Sequence, residues 1–303
     1  MTVPAPSMRA SNAVPAVLIT GATTGIGHAT ALALAADGLH VFAGVRSPAA
    51  ATAMRDAHPA LHPLLLDVTD NDSRHAAMAA LDAALAGAPL VALVNNAGIA
   101  VQGPLEEVPI DALVRQFEVN LFGAAALVQL ALPGLRAASE AGHRVTIVNV
   151  GSIGGRLALP FTGPYTASKF ALAGYTGSLR QELRPWGIRV SLVEPGTTRT
   201  VIWDKVADAV GDAQASAGPH YRDMLGRYRL AVETLQRSGM PAERVAGVIR
   251  DLLRARRPAA RRLVGDAHLL ATLTVLPARL RDALLARLLG LPGRGALLAD
   301  GSS

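Results

Sequence analysis

Residues 16–27 read AVLITGATTGIG, and the fold follows from how this stretch is read. Ala16 to Thr20 is a short, β-branched apolar run, the mark of a buried strand. Glycines follow at 21, 25 and 27, and then an alanine-rich helix runs to Asp37 and closes at Gly38. A strand, a glycine turn and a helix form the physical arrangement for a dinucleotide. Glycines let backbone N–H groups approach a pyrophosphate, and the helix N-terminus adds partial positive charge. A glycine turn alone is a weak sign; the strand and helix on either side strengthen it.

Outward from this unit the chain keeps alternating. Strands are expected at His40–Val45, Leu61–Leu66, Leu90–Val94, Arg144–Val150 and Ile188–Val193, with Arg261–Gly265 as a seventh, edge strand. Between them lie helical stretches, among them one from about Pro109 to Leu135 carrying Asn120 and one from Tyr165 to Leu183. Short apolar strands alternating with helices predict an α/β protein with a parallel sheet covered on both faces. Ligands of such sheets bind beyond the carboxyl ends of the strands. Gly21, Asp67, Asn95, Ser152 and Pro195 are expected just past those ends, on one rim.

Composition bounds the rest. With 303 residues, half of them hydrophobic, the chain can bury a large core. It has no cysteine, so disulfides and thiolate metal sites are excluded. No metal site is expected: His58 and His62 are four apart, but Pro59 breaks the helix that would pair them. Residues 1–13 read as a flexible tail without a signal-peptide pattern. No apolar stretch reads as a transmembrane helix, and a cytoplasmic location is expected. Residues 1–240 carry 18 basic and 18 acidic side chains, whereas residues 241–303 carry 11 and 5.

Ser152, Tyr165 and Lys169 carry the chemistry. Tyr165 and Lys169 are four apart, so on a helix a phenol and an ammonium share one face. The chain has only two lysines, Lys169 and Lys205, against 27 arginines. A compact point charge at Lys169 therefore stands out. An ammonium about 4 Å from the phenol, worth about 4 kcal/mol at an effective dielectric of 20, would bring a phenol pKa of about 10 toward neutrality.

Taken in order, TG-x-x-x-GIG at 20–27, Asp67, Asn95-Asn96-Ala97-Gly98, Asn120, Ser152, Tyr165-x-x-x-Lys169 and Pro195-Gly196-x-x-x-Thr200 resemble the short-chain dehydrogenase/reductase family over about residues 14–265. The tail more loosely resembles its hydroxysteroid and retinol dehydrogenase branch. The resemblance implies a single domain, a Rossmann-type doubly wound parallel sheet of about seven strands. It also implies a helical substrate lid at about 201–240 and a basic helical extension at 266–303.

The family's roles then fall on this chain's residues. Tyr165 would be the proton donor and acceptor, Ser152 would hold the substrate oxygen, and Asn120 would support Lys169 through a water. Lys169 would also bond the nicotinamide ribose. The cofactor would lie against Gly21, Thr23, Thr24, Gly25, Ile26, Gly27, Arg46, Asp67, Val68, Asn95, Ala97, Gly98, Pro195, Gly196, Thr198 and Thr200. Asp67 would take the adenine amino group or cap a helix, and Asn95 would steady the sheet and line the adenosine side. Thr198 departs from the aliphatic residue frequent there.

NADP(H) is the expected cofactor. An NAD enzyme of this shape places an acid about 20 residues past the glycines. Val45 stands there, no acid occurs from Gly38 to Arg55, and Arg46 offers a planar fork to a 2′-phosphate.

The expected substrate is a small carbonyl or alcohol, apolar in character, because Tyr221, Met224, Leu225, Tyr228, Val232 and Leu235 fit one helical face over the site. Two other readings stay open, an NADP-binding regulator without catalysis and an epimerase or dehydratase of the same fold. A homodimer or homotetramer is expected, with no nucleic-acid partner. In the tail Leu280, Leu284, Leu288 and Leu291 form one stripe beside Arg279 and Arg287. That stripe could rest on an anionic bilayer; packing on the chain's own domain or on a second subunit is the favoured reading.

Overall fold

A computed structural model describes residues 13–200, 210–211, 214–215, 217–289 and 291. Six strands form the centre: β1 (Ala16–Ile19), β2 (His40–Val45), β3 (Leu61–Leu65), β4 (Leu90–Asn95), β5 (Thr146–Val150) and β6 (Arg189–Pro195). With the edge strand β9 (Arg261–Val264) they make one parallel sheet, ordered β3-β2-β1-β4-β5-β6-β9. The order reverses between β1 and β4, which opens a crevice at the carboxyl edge between these neighbours. The expected seven-stranded, doubly wound sheet is what forms.

Side-chain alternation along each strand explains why the sheet needs cover on both faces. In β1, Ala16 and Leu18 enter one core cluster with α3 (Asn71–Leu85), α5 (Gly123–Glu140) and α6 (Gly163–Glu182). Val17 and Ile19 enter the other, with α1 (Gly25–Ala36), α2 (Pro48–Ala57) and α8 (Ala242–Arg254). All four β1 residues are buried, and each large one contributes about 1.5–3 kcal/mol. Ala29, Ala242 and Ala246 are small enough for α1 and α8 to pack closely.

Several boundaries differ from the sequence reading. The helix expected from Pro109 to Leu135 is α4 (Ile110–Phe117), a π-helical turn at Glu118–Phe122, and α5 running on to Glu140. Ile110–Glu140 contains one stretch of 18 residues with a mean hydropathy of 1.5, long and apolar enough to cross a membrane by length and composition, which the sequence reading did not single out. Its Leu127, Val128, Ala131 and Leu135 belong to the core under the sheet. Asn95 and Pro195 are the last residues of their strands rather than just beyond them. Two two-residue strands, β7 (Thr198–Arg199) and β8 (Met240–Pro241), pair with each other and were not expected.

The expected lid is partly described. In α7 (Pro219–Ser238), Leu225, Tyr228 and Val232 are buried around Phe161, with Tyr221 and Met224 packed beside them. Residues 201–209 and the Leu235 side chain lie outside the described residues. The tail holds α9 (Ala267–Thr272) and α10 (Ala278–Leu288). Of the expected stripe Leu291 packs, whereas Leu280, Leu284 and Leu288 are exposed. Leu285 is buried, and Leu289 and Leu291 pack against the Phe161 cluster.

Candidate active site

The glycine turn is built by positions that tolerate no side chain. Gly21 and Gly25 have φ of +63° and +59°, which L residues avoid. A Cβ on Gly27 would sit 2.3 Å from the Gly21 carbonyl oxygen. Thr24 precedes α1 without a side-chain cap, so the first N–H groups of that helix remain available to an anion. Ile26, one residue into the helix, turns instead into the α1–α8 contact. Thr23 and Thr24 are exposed beside the turn. A cleft of about 830 Å³ runs alongside, lined by Gly25, His28, Arg199, Thr200 and Arg237 among others. Arg199 and Arg237 give it positive charge, and Glu233 and Glu243 line it as well.

The turn is fastened to the end of β4. The Thr20 hydroxyl accepts from the backbone N–H of both Asn96 (3.0 Å) and Ala97 (2.9 Å). The Asn96 side chain donates to the carbonyls of Thr20 and Gly21, each at 3.0 Å. Neither Thr20 nor Asn96 was among the expected site residues. A polar residue directly before the first glycine, and the second of paired asparagines at a strand end, were the available signals. Asn95 points under the sheet, donating to Asn149 Oδ1 at 2.9 Å. That placement fits the sheet-steadying half of its expected role.

At the second strand the expected positions hold. Val45 ends β2, and exposed Arg46 follows. Asp67 accepts from Thr69 N at 2.9 Å and Thr69 Oγ1 at 2.7 Å. Burial pushes its carboxyl up, but the Thr69 bonds and the charges of Arg46 and Arg115 outweigh that and hold it below its ordinary value. Asp70, not Asp67, caps α3 by accepting from Ser73 N. Val68 is buried, and its carbonyl and side chain close on Gly123.

At the centre, Ser152, Tyr165 and Lys169 come together. Tyr165 and Lys169 lie on α6 as the spacing required, and Ser152 directly precedes a 3₁₀ turn at Ile153–Gly155. The Ser152 hydroxyl accepts from Gly154 N at 3.0 Å and lies beside the Tyr165 phenol, whose pKa it draws down. Gly154 and Gly155 make the approach close: a Cβ on Gly155 would lie 2.8 Å from the Lys169 carbonyl oxygen.

The buried Lys169 ammonium donates to the Val150 carbonyl at 2.9 Å and sits 5.7 Å from the Tyr165 ring centroid. Burial lowers its pKa to about 8. Burial raises the Tyr165 pKa, and the Ser152 hydroxyl pulls it back only in part. The lysine-driven depression expected from sequence is thus not the ruling effect, because loss of water around the phenol outweighs it.

Asn120 sits in the π-helical turn, a distortion frequent at functional sites. Its Oδ1 accepts from Ile99 N at 2.9 Å, and its Nδ2 donates to Ile99 O at 3.1 Å and Ser168 Oγ at 3.0 Å. Gln116 repeats this grip on Ile99 O and Val101 N. Asn120 and Lys169 flank Gly98, whose Cβ would lie 3.4 Å from Asn120 Oδ1 and 3.8 Å from Lys169 Nζ. Pro195 ends β6 and Gly196 follows it, Thr198 is buried with its hydroxyl on the Gly196 carbonyl, and Thr200 reaches back to Gly25.

A model of the short chain dehydrogenase family matches residues 15–211. The chain belongs to the short-chain dehydrogenases. This short-chain dehydrogenase is 34% identical over 272 residues to the NADPH-dependent 3-dehydrocapnine reductase of Ornithobacterium rhinotracheale, covering 88% of this chain and 94% of that one. It is 32% identical over 305 residues to retinol dehydrogenase 5 of Mus musculus, covering 95% and 92%. It also superimposes on a short chain dehydrogenase from Burkholderia cenocepacia J2315 solved in complex with NADP. That match has a TM-score of 0.66 and 26% identity, and covers 90% of this chain and 96% of that one. The protein is therefore an oxidoreductase with a nicotinamide dinucleotide cofactor, NADP favoured.

Proposed function

We propose that this enzyme interconverts a ketone or aldehyde and an alcohol on an apolar substrate, with Tyr165 as acid and base. The observation that carries this reading is the convergence of the Ser152 hydroxyl and the Tyr165 ring beside Gly154, one helical turn from the buried Lys169. A substrate oxygen placed between the two hydroxyls receives one hydrogen bond from each. Tyr165 then gives its proton to that oxygen in reduction and takes one back in oxidation. When bound, the nicotinamide supplies or accepts the hydride. With a pKa of about 8, Lys169 is mostly cationic at neutral pH and steadies negative charge on the phenol.

Gly21, Thr23, Thr24, Gly25 and Gly27 would hold the pyrophosphate, and Arg46 the 2′-phosphate. Asp67, Val68, Asn95, Ala97 and Gly98 would flank the adenosine and ribose, and Pro195, Gly196, Thr198 and Thr200 the nicotinamide end. The Asn120 amide is engaged by Ile99 and Ser168, so its support of Lys169 acts by fixing the segment beside Gly98.

The apolar substrate reading rests on the cluster of Phe161, Tyr221, Leu225 and Tyr228 over the site. Retinol dehydrogenase among the relatives agrees with it. A panel of carbonyls and alcohols, from short polar ones to long-chain and polycyclic ones, scanned for NADPH or NADP⁺ turnover tests the whole reading. Small polar ketones or sugars winning by kcat/KM would overturn the substrate class. A homodimer or homotetramer fits the exposed Ile110, Val114, Phe122 and Phe170 on α4 to α6. Light scattering on the purified chain reads that out.

A further inference from the structure

We propose that Glu194 is a positioning residue that sets the Ser152 loop against the Pro195–Gly196 turn, through Arg156 on one side and Arg261 on the other. Glu194 is fully buried, one residue before Pro195 at the end of β6. Arg156 Nε donates to its Oε1 at 2.8 Å and Arg156 Nη2 to its Oε2 at 2.7 Å. Arg261, the first residue of β9, donates from Nε to Oε2 at 3.0 Å and from Nη2 to Oε1. Each carboxylate oxygen thus accepts from both guanidinium groups, a double fork that fixes direction as well as distance.

The three residues come from three segments, each with a separate task in the proposed reaction, on which this inference rests. Arg156 lies four residues past Ser152 and closes the 3₁₀ turn through its backbone N–H to the Ile153 carbonyl. Glu194 leads directly into the turn that carries Gly196, Thr198 and Thr200. Arg261 brings the edge strand, and the same strand delivers a second carboxylate to that turn. Asp266 accepts from Thr197 N at 2.8 Å, and Gly196 N donates to the Val264 carbonyl at 3.0 Å. A Cβ at Gly196 would overlap the Asp266 carboxylate, so the contact is tight.

The group that holds the substrate oxygen and the turn assigned to the nicotinamide end therefore share one buried anion. Breaking it lets the two drift apart while the rest of the sheet stays. A removed partner also leaves a buried charge short of donors, so the protein relaxes at this spot.

Arg156→Met and Arg156→Lys test this without emptying the core, since the Arg156 side chain is 29% exposed. Glu194→Gln is the companion that keeps shape and removes charge. The expected result for Arg156→Met is a kcat at least about tenfold lower, since a misplacement of about 1 Å can cost about a hundredfold. NADPH affinity by fluorescence titration should stay within about threefold. The kinetic isotope effect on kcat with C4-deuterated NADPH should rise, because hydride transfer becomes limiting. Arg156→Lys should recover part of kcat, since charge returns without the fork.

If Arg156→Met lowers the melting temperature but leaves kcat and the isotope effect unchanged, the cluster is only a structural clamp and the assignment is wrong. NADPH affinity falling in step with kcat would overturn it too, making this a nucleotide-binding contact. A wild type that binds NADPH yet turns over no carbonyl or alcohol sinks the proposed reaction, and this assignment with it. Normal wild-type turnover beside an unimpaired Arg156→Met sinks the assignment alone.

Discussion

The Lys169 ammonium donates to the Val150 carbonyl, 2.9 Å away, inside a site that buries the lysine almost completely. That contact joins α6 to the end of β5 at a cost, because burial has taken the lysine from 10.5 to about 8. An unfolded chain holds the proton up to its ordinary value, so below pH 8 folding carries the full penalty of a buried cation, about 3 kcal/mol. Between pH 8 and 10.5 the folded protein sheds the proton first, and the penalty fades as pH rises.

Lys169→Met should therefore stabilise the protein at pH 7 while abolishing turnover. Leaving the Val150 carbonyl unpaired takes back about 1 kcal/mol, so the expected gain is about 2 kcal/mol. The gain should shrink when the pH is raised to about 9.5. Urea midpoints of both proteins at the two pH values measure this. A variant less stable than wild type at pH 7 would show that the lysine holds the fold together.

Tyr165→Phe should remove turnover, by a factor of at least about 10³, and leave NADPH binding nearly unchanged. The ring keeps its packing beside Gly154, and only the phenol oxygen is lost. Turnover assays paired with fluorescence titration read both halves. Substantial residual activity would remove Tyr165 from the mechanism.

How far these assignments were legible in the sequence differs from residue to residue. β1 and β4 were readable because strands covered on both faces are continuous apolar runs. Tyr165 and Lys169 were readable because a spacing of four is itself a geometric statement. The π-helical turn around Asn120 was not, since a shift of backbone bonding by one residue leaves no mark in composition. Arg156, Glu194 and Arg261 lie 38 and 67 residues apart and meet through the pairing of β6 with β5 on one side and β9 on the other. The tail shows the limit of periodicity. Of the stripe at 280, 284, 288 and 291, Leu291 packs against the Phe161 cluster, but on the helix itself the buried residue is Leu285, on the neighbouring face.

Tyr228→Phe should destabilise the protein by about 1–2 kcal/mol through the loosened packing of α7. The Tyr228 hydroxyl donates to Gln102 Oε1 at 3.1 Å, both residues are buried, and the substitution leaves that amide oxygen without its donor. Phe161 stacks edge-on against Tyr228 with ring centroids 5.4 Å apart, so the aromatic packing survives. Equilibrium unfolding gives the stability, and the KM of the best apolar substrate should rise with it. Unchanged values for both would mean that this hydrogen bond anchors nothing.

Exchanging the residues that follow β2 should exchange the cofactor. Val45 is the buried last residue of that strand, and Arg46 is exposed directly after it, facing the Asp67 carboxylate closely enough to lower its pKa. An enzyme built for NAD would place an acid here to bond the ribose 2′-hydroxyl. With a carboxylate absent and a guanidinium present, the 2′-phosphate of NADP finds a partner and no repulsion. Val45→Asp with Arg46→Leu reverses both features. The double variant should lose at least about tenfold in kcat/KM for NADPH, since an ionic hydrogen bond of about 1.5–3 kcal/mol is replaced by repulsion. It should gain for NADH, although the buried position of Val45 will limit how well the new acid reaches the ribose. Measuring kcat/KM for both cofactors in both proteins decides it, and a wild-type preference for NADH would mean that Arg46 answers to Asp67 alone.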